Sequence, residues 1–233
     1  MASNQTAEKI APYLFLGMTA VTGLVDAVSY LSLGRVFTAN MTGNIVLLAF
    51  ATARVPGLSI TRSLAALVFF LSGAVLGGRI MAPASGESHF RFAARAFLLE
   101  VVVLTAASVC AIGYKGNVVE PAVQPLALIA LTALAMGIRN AAVRKLAIPD
   151  LTTTVLTLTL TGIAADSSLA HGNNVRLARR VGSVLAMIAG AALGAIVIRY
   201  SVAVALGCAA GISALCDAAL FRALGASENG VSQ

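Results

Sequence analysis

The stretch APYLFLGMTAVTGLVDAVSYLSL, residues 11–33, decides the fold class of this chain. About 20 apolar residues are enough for a helix to cross the roughly 30 Å hydrocarbon core of a bilayer. The whole chain has the same character, because 59% of its 233 residues are hydrophobic, 11% are charged, and the mean hydropathy is +0.92. A soluble domain needs more polar material to cover its surface. The sequence therefore predicts an all-α, polytopic integral membrane protein that forms one domain over residues 1–233.

Apolar segments of two lengths alternate along the chain. The six long ones reach, or nearly reach, the length of a transmembrane helix; they are residues 11–34, 60–81, 96–114, 122–143, 181–198 and 200–221. Residues 38–53 and 151–165 are shorter, and their first halves are rich in polar residues. We interpret these two as discontinuous or re-entrant segments, with two short, tilted helices as the alternative.

The distribution of basic residues favours six crossings over eight. Eight crossings would leave eight Lys and Arg residues on each side of the membrane. With six crossings, eleven lie on the side of the N-terminus, and the other side holds Arg35, Arg54, Arg62, Lys115 and Arg199. Because cytoplasmic loops carry the excess of Lys and Arg, both termini are expected in the cytoplasm. Topology and anionic lipid then account for the net charge of +7, and no nucleic-acid partner is expected.

The two halves of the chain, about 11–114 and 122–221, resemble each other. The matching stretches are GLVDA (23–27) with GIRNA (137–141), TANMTGN (38–44) with TTVLTLT (153–159), and GAVLG (73–77) with GAALG (190–194). Two tandem units with three crossings each must be inverted relative to each other, as in many secondary transporters. The two GxxxG spacings allow helices to approach closely. Packing between segments 60–81 and 181–198, or a homo-oligomer interface, would account for them.

Residues 23–44 (GLVDAVSYLSLGRVFTANMTGN) resemble the opening of the YoaK-like family of bacterial six-span membrane proteins, a domain of unknown function. GIRNAAVRK (137–145) and the Thr-rich run after it resemble the signature of that family's second half. The resemblance extends from about residue 11 to residue 222. Leu158 departs from the pattern, since the family more often has a Gly there that matches Gly43. The resemblance implies a six-span fold in the bacterial inner (plasma) membrane and no established substrate.

Polar side chains inside the apolar segments mark the candidate site. A charged group within a span costs about 2.5–3.5 kcal/mol on insertion scales, so Asp26 needs a partner, a cavity or the bundle interior. It is either a titratable or ion-binding group or a structural carboxylate that caps a broken helix. An extended backbone would place the polar residues of TANMTGN on one side, and we expect the two short segments to face each other near the midplane. The candidate substrate- or ion-binding residues are Asp26, Asn40, Thr42, Asn44, Asn140, Thr153, Thr154 and Thr157.

Three further charged residues lie within the predicted spans. Arg139 is a possible charge partner of Asp26 or of an anionic solute, and the alternative is an Arg that snorkels to the cytoplasmic surface. Glu100 and Asp217 each have an Arg five positions away along the chain. We therefore expect these two carboxylates to form ion pairs at the membrane interface.

The remaining reactive residues indicate neither a metal site nor a cofactor. Cys110, Cys208 and Cys216 lie inside apolar runs, and His89 and His171 are expected in hydrophilic connections. The chain carries no nucleotide-binding or hydrolytic motif, so we do not expect an enzyme.

These patterns predict a transporter or channel-like protein that passes a small solute or ion through a polar midplane site at the repeat interface. The alternative is a non-transporting membrane scaffold or accessory subunit. Only a conduit would admit aqueous reagents to residues 38–44 at mid-depth. An intramembrane enzyme is less expected than either, and a homo-oligomer remains open.

Overall fold

The computed structural model is all-helical over the residues that it describes, which are 2–82, 89–116, 123–147 and 156–229. The α-helices are α1 (Ala2–Ser32), α2 (Met41–Thr52), α3 (Ile60–Ile80), α4 (His89–Cys110), α5 (Val123–Leu146), α6 (Leu156–Ala165), α7 (Leu177–Val197) and α8 (Val202–Asn229). Six of these are long and apolar enough to cross a membrane, and α2 and α6 are short. The predicted polytopic, all-α architecture is therefore confirmed.

Helix α4 begins earlier than the sequence predicted. His89, expected in a connection, is its first residue, seven positions ahead of the predicted start at residue 96. The added turns carry Phe90, Phe92 and Ala93, which are all buried. Their burial against neighbouring helices stabilises these turns as helix, although Arg91 interrupts the apolar residues.

Two hydrophobic clusters show which helix ends lie together. The first contains Leu33 after α1, Ala111 after α4, Val202 at the start of α8 and Leu128 near the start of α5. The second gathers the opposite ends of these four helices, with Ala11, Phe90, Leu224 and Val143. Helices α1 and α4 therefore run in one direction and α5 and α8 in the other. We call the end with the first cluster the outer end and the end with the second cluster the terminal end.

The halves pack against each other through contacts that occur twice. Helix α1 packs on α7 and α8, and α5 packs on α3 and α4. A Cβ added to Gly23 would be 2.3 Å from the Met187 carbonyl oxygen, and one added to Gly137 would be 2.1 Å from the Phe70 carbonyl oxygen. Gly137 lies 114 positions after Gly23, and Met187 lies 117 positions after Phe70. The same backbone-to-backbone approach thus joins α1 to α7 and α5 to α3.

The two GxxxG motifs serve this crosswise packing. Gly73 of α3 lies against Leu134 of α5, and Gly190 of α7 lies against Ala20 of α1. The prediction that segments 60–81 and 181–198 pack on each other through these glycines is therefore wrong. Each motif instead receives the first helix of the other half, because a Gly without a Cβ lets that backbone come into contact.

Helix α2 enters and leaves the bundle at the outer end. A Cβ on Gly57, ahead of α3, would be 3.2 Å from the Arg35 guanidinium, which follows α1. Arg62 Nη1 donates to the Gly34 carbonyl oxygen at 3.3 Å. With 12 residues, α2 is only about 18 Å long, well short of the hydrocarbon core. Residues 38–53 therefore make no net crossing, as predicted.

The two short helices do not meet. Helix α2 packs on α3, and α6 packs on α7, each within its own half of the described chain. The inverted arrangement places α2 at the outer end and α6, between the end of α5 and the start of α7, at the terminal end. For the residues that the structure describes in them, 38–53 and 156–165, the prediction that these segments face each other near the midplane is therefore wrong.

Candidate functional site

Asp26 holds the non-helical backbone that joins α1 to α2. Its Oδ1 accepts hydrogen bonds from the backbone N–H of Thr38 at 3.0 Å and of Ala39 at 2.8 Å. Buried backbone donors need partners, and α2 starts too late to supply them. The Asp26 residue is 7% exposed. These bonds give Asp26 a structural role in the turn, but Thr38 and Ala39 precede the N-cap Asn40, so the carboxylate does not cap a helix as one of the two interpretations expected.

Two asparagines fix the same turn from the other side. Asn44 is fully buried; its Oδ1 accepts from the Phe37 N–H at 2.9 Å, and its Nδ2 donates to the Phe37 carbonyl oxygen. Asn40 is the N-cap of α2 and accepts from the Gly43 N–H at 3.3 Å. The structure thus brings Asp26, Asn40 and Asn44 together around one turn.

The polar residues of the TANMTGN stretch do not share one side. Helix α2 begins at Met41, so the extended conformation predicted from the alternation is wrong from that residue onward. Thr38 and Asn44 are buried, whereas Asn40 and Thr42 are exposed. The capping preference of Asn40 decides the helix start and overrides the period-two pattern.

The matching stretch of the second half is helical where the structure describes it. Thr157 is exposed and Thr159 is buried, both within α6. The period-two alternation of Leu and Thr there is therefore not an extended strand-like segment. Thr153 and Thr154 lie outside the described residues.

Asn140 occupies the position in α5 that Asp26 occupies in α1. It is half-buried, and its Nδ2 donates to the Met136 carbonyl oxygen at 2.8 Å. Because α1 and α5 run in opposite directions, Asn140 lies toward the terminal end and Asp26 toward the outer end. The candidates of the two halves therefore belong to two different places in the bundle.

A cleft of about 490 Å³ lies beside the Asp26 turn, and we call it the inner cleft. It is bounded by α1, by Phe37 and Asn40 of the turn, and by α7. Asp26 and Asn40 form its polar part, and Ala191 and Ala195 contribute to an apolar wall. The cleft is thus formed by segments 11–34, 38–53 and 181–198. Helix α7 takes the place of segments 122–143 and 151–165, which were expected to line the site.

A wider cleft of about 990 Å³ lies at the outer end, and we call it the outer vestibule. Arg35 and Arg62 line it, and it shares Tyr30 and Leu31 with the inner cleft. The Tyr30 ring stacks on Phe37 with centroids 5.0 Å apart and planes 19° apart. Tyr30 therefore lines both clefts, and Phe37, which stacks on it, lines the inner cleft.

A phenol bridges two helix ends beside the vestibule. The Tyr114 hydroxyl donates to the Ser32 carbonyl oxygen at 2.7 Å, which ties the end of α4 to the end of α1. Burial raises the pKa of Tyr114 above its ordinary value, and the positive charge of Arg62 acts in the opposite direction. The hydroxyl therefore keeps its proton, and its bond to Ser32, at neutral pH.

A second polar centre lies between the halves, and it is one that the sequence analysis assigned wrongly. Arg139 and Glu100 are both 0% exposed and form a two-bond ion pair, with Arg139 Nε donating to Glu100 Oε2 at 2.9 Å and Nη2 donating to Oε1. Arg139 therefore pairs with neither Asp26 nor the membrane surface, and Glu100 is not interfacial. The planar guanidinium matches a carboxylate in two parallel bonds, which suits it to a buried pair.

The rest of the Arg139 guanidinium is fully engaged. Nη2 donates to Ser213 Oγ at 2.8 Å, and Nη1 donates to the Met18 carbonyl oxygen at 2.7 Å and to Thr22 Oγ1 at 3.2 Å. Ser213 Oγ donates in turn to Glu100 Oε1 at 3.0 Å. The network joins α1 and α4 of one half to α5 and α8 of the other.

Asp217 is a further acidic group inside the bundle. It is 3% exposed, and its Oδ1 has no hydrogen-bond partner among the described residues. The interfacial ion pair expected for it is therefore absent at that oxygen. Asp217 lies 117 positions after Glu100, the same spacing that relates Gly190 to Gly73. That coincidence is the signal in the sequence that could have identified the carboxyl pair.

The comparisons with known proteins agree with this architecture. Residues 14–219 match the family described as "Protein of unknown function (DUF1275)". The chain is 37% identical over 147 residues to "UPF0700 transmembrane protein YoaK" of Bacillus subtilis (strain 168). That match covers 63% of this chain and 62% of the relative's length. No solved structure matches the chain. The resemblance to the YoaK-like family is confirmed.

Proposed function

The chain belongs to the DUF1275 family of membrane proteins of unknown function, and we propose that it passes a small solute or ion through the inner cleft. The observation that carries this proposal is the pairing of the two clefts. The inner cleft reaches Asp26, a carboxylate inside a membrane-spanning helix, and shares the lining residues Tyr30 and Leu31 with the outer vestibule. Its volume of about 490 Å³ lies within the roughly 300–1,000 Å³ typical of small-molecule sites.

The backbone around Asp26 supports a binding role for the cleft. Non-helical backbone at membrane depth is tolerated where protein buries it or where it lines a water-filled cavity. The turn from Phe37 to Asn40 meets the first condition through its bonds to Asp26 and Asn44, and a water-filled inner cleft beside it would meet the second. Inverted halves with interrupted helices are also the architecture of many secondary transporters.

The α1–α7 contact borders the cleft, because Gly23, which lines it, lies against the Met187 backbone of α7. In this proposal, passage to the terminal end opens that contact. Because the α5–α3 contact repeats this geometry at Gly137, the two contacts are suited to opening alternately.

We also assign the orientation on the basis of charge. The outer end carries Arg35, Arg54, Arg62, Lys115 and Arg199. The terminal side still carries about twice as many basic residues after the buried Arg139 is set aside. The positive-inside rule then favours both termini in the cytoplasm. The resemblance to the YoaK-like family implies the bacterial inner membrane. No enzymatic step and no cofactor form part of the proposal.

Thiol labelling tests whether the inner cleft admits water. In a variant with its native cysteines replaced by Ser, Asn40→Cys and Ala191→Cys are expected to react with a membrane-impermeant maleimide added from outside. Val25→Cys on α1, at a position that is 0% exposed, and Leu185→Cys on the lipid-facing side of α7 are the matched controls and should stay unlabelled. Labelling equal to the controls at both cleft positions would contradict the proposal and support a non-transporting scaffold.

A flux assay tests transport itself. Proteoliposomes are assayed by stopped-flow light scattering with glycerol, alanine, lactate and potassium chloride as probes. Asn40→Ser keeps an N-cap side chain but removes the amide, so the fold is preserved. We expect the flux of the transported probe to fall on the order of tenfold, because a hydrogen bond in a site is worth about 1–1.5 kcal/mol. If Asn40→Ser and Asp26→Asn both leave every flux unchanged while the protein stays folded, the site assignment is wrong.

A further inference from the structure

The two buried carboxyl groups, Glu100 and Asp217, occupy the same position in the two halves of the protein. Helix α4 packs on α8, so the pair lies where the halves meet. Glu100 is 0% exposed and Asp217 is 3% exposed, and the charges of the two groups act on each other. Both residues lie within membrane-spanning helices, several turns from the nearest helix end on at least one side.

In the parts of the chain that the structure describes, the cation bonded to this pair is Arg139. Arg139 comes from α5, and the matching position in α1, 114 residues earlier, is Val25. The five N–H donors of Arg139 go to the two oxygens of Glu100, to Ser213 and Thr22, and to one backbone carbonyl oxygen. No donor of this guanidinium is left for Asp217. Asp217 Oδ1 has no hydrogen-bond partner in the described part of the chain.

The charges of the centre therefore do not balance. Two ionised carboxylates and one guanidinium leave one negative charge in the middle of the bundle. Among the charged groups, Glu100 on α4 is close enough to Asp217 for their negative charges to repel each other. Arg139 on α5 interacts electrostatically with Cys216, which precedes Asp217 in α8. α1, which also packs on α8, contributes the hydroxyl of Thr22 to the network. An uncompensated charge at this depth is costly, whereas a carboxyl group can neutralise by taking up one proton.

We propose that Glu100 and Asp217 form a proton-binding site that holds one exchangeable proton, carried on Asp217. Uptake converts the Asp217 carboxylate to a carboxylic acid, and release restores it, with no other bond made or broken. The proton is placed on Asp217 because Arg139 holds both oxygens of Glu100, whereas Asp217 Oδ1 accepts no hydrogen bond from the described residues. We further propose that this proton is the coupling ion of the solute passage, and this second part rests on the proposed function.

Infrared difference spectroscopy of the full-length protein in liposomes tests the proton itself. At neutral pH the wild type should show a carboxylic acid C=O band that Asp217→Asn removes. Glu100→Gln balances the charge without a proton, so the same band should disappear although Asp217 is still present. Asp166→Asn is the control, because Asp166 is a half-exposed carboxylate that accepts from Arg180 at 2.7 Å, and this variant should leave the band unchanged.

Several outcomes would overturn the proton site. They are a missing band in the wild type, a band that survives in Asp217→Asn, and a band that Glu100→Gln does not affect. A band seen only after sodium is replaced by choline would assign the centre to a metal cation instead. Asp217→Asn and Glu100→Gln are close to the native residues in shape, and the second gives a result even if the first does not fold.

A second arm separates coupling from transport. Proteoliposomes with and without an imposed pH gradient are assayed for uptake of the probes named above. We expect the gradient to drive accumulation in the wild type and to have no effect in Asp217→Asn, which should still equilibrate the probe. Flux that ignores the gradient would overturn the coupling and leave transport standing. No flux of any probe, with the acid band intact, would overturn the proposed function and the coupling with it and leave the proton site standing.

Discussion

At the scale of single residues, the buried Arg139–Glu100 pair has a large predicted effect on stability. Arg139→Leu strands the Glu100 carboxylate in the core, and breaking a buried pair in this way costs about 3–5 kcal/mol. We expect a corresponding loss of stability in unfolding titrations with SDS in mixed micelles. The double variant Arg139→Leu, Glu100→Leu should recover much of that loss, because no uncompensated charge from the pair remains. Arg144→Leu, at an exposed position on the same helix, is the control.

The sequence could indicate that these charges matter but could not pair them. Charged residues within apolar runs are costly and need partners, which marks Asp26, Glu100, Arg139 and Asp217 from composition alone. Which carboxylate Arg139 reaches depends on how four helices are arranged around one another. Glu100 is 39 positions away and Asp26 is 113 positions away, and no local pattern distinguishes them. The equal spacing of the glycine motifs and of the carboxyl pair was the available signal.

At the scale of elements, the Asp26 turn is a unit whose loss should be local. Asp26→Ala removes the acceptor for the N–H groups of Thr38 and Ala39. Leaving buried donors without partners costs about 1–3 kcal/mol. We therefore expect faster amide hydrogen exchange in this turn and an unchanged exchange rate in α1. Thr19→Ala is the control, because Thr19 bonds only to the Phe15 carbonyl oxygen of its own helix. If exchange at the turn stays at the wild-type rate, Asp26 does not stabilise the turn.

The glycines of α3 give an internally controlled prediction for the contacts between helices. A Cβ at Gly73 would be 2.2 Å from the Leu134 carbonyl oxygen, whereas a Cβ at Gly78 would meet nothing within 4 Å. Gly73→Ala should destabilise by about 1–3 kcal/mol or more through overpacking. Gly78→Ala should be neutral or gain up to about 1 kcal/mol from helix propensity. Thermal unfolding in detergent compares the two, and equal melting temperatures would contradict the close packing of α3 on α5.

The same reasoning extends to the second half of the chain. Gly190→Ala on α7 should match Gly73→Ala, because its Cβ would be 1.8 Å from the Ala20 carbonyl oxygen of α1. These motifs could be predicted from the sequence as sites of close approach, but their partners could not. A GxxxG spacing predicts that the backbone of another helix comes close. Which helix that is depends on how the two halves pack against each other. The start of α2, in contrast, depends on a local signal, because Asn is a preferred N-cap residue and Asn40 directly precedes the helix.

At the scale of the whole molecule, the chain makes six crossings and both of its termini lie on one side. The reason is that the segment with α2 starts and ends at the outer end, and the segment with α6 starts and ends at the terminal end. Arg54 and Lys115 should therefore be accessible from outside, and Arg144 and Asn174 from the cytoplasm. Eight crossings would move both Arg54 and Lys115 to the side of the termini and Arg144 to the other side. The count could be inferred from the sequence, because the distribution of basic charge depends on the number of crossings rather than on packing.

Single cysteines at these four positions, in a variant without native cysteines, separate the two topologies. Intact cells are treated with an impermeant maleimide, and permeabilised cells provide the total reactivity. We expect Arg54→Cys and Lys115→Cys to react in intact cells and Arg144→Cys and Asn174→Cys to react only after permeabilisation. The Asn174 position discriminates orientation alone, since both topologies put it on the side of the termini. Protection of Arg54→Cys together with labelling of Arg144→Cys would mean that α2 crosses fully, and the inner cleft would then have no outer vestibule to open into.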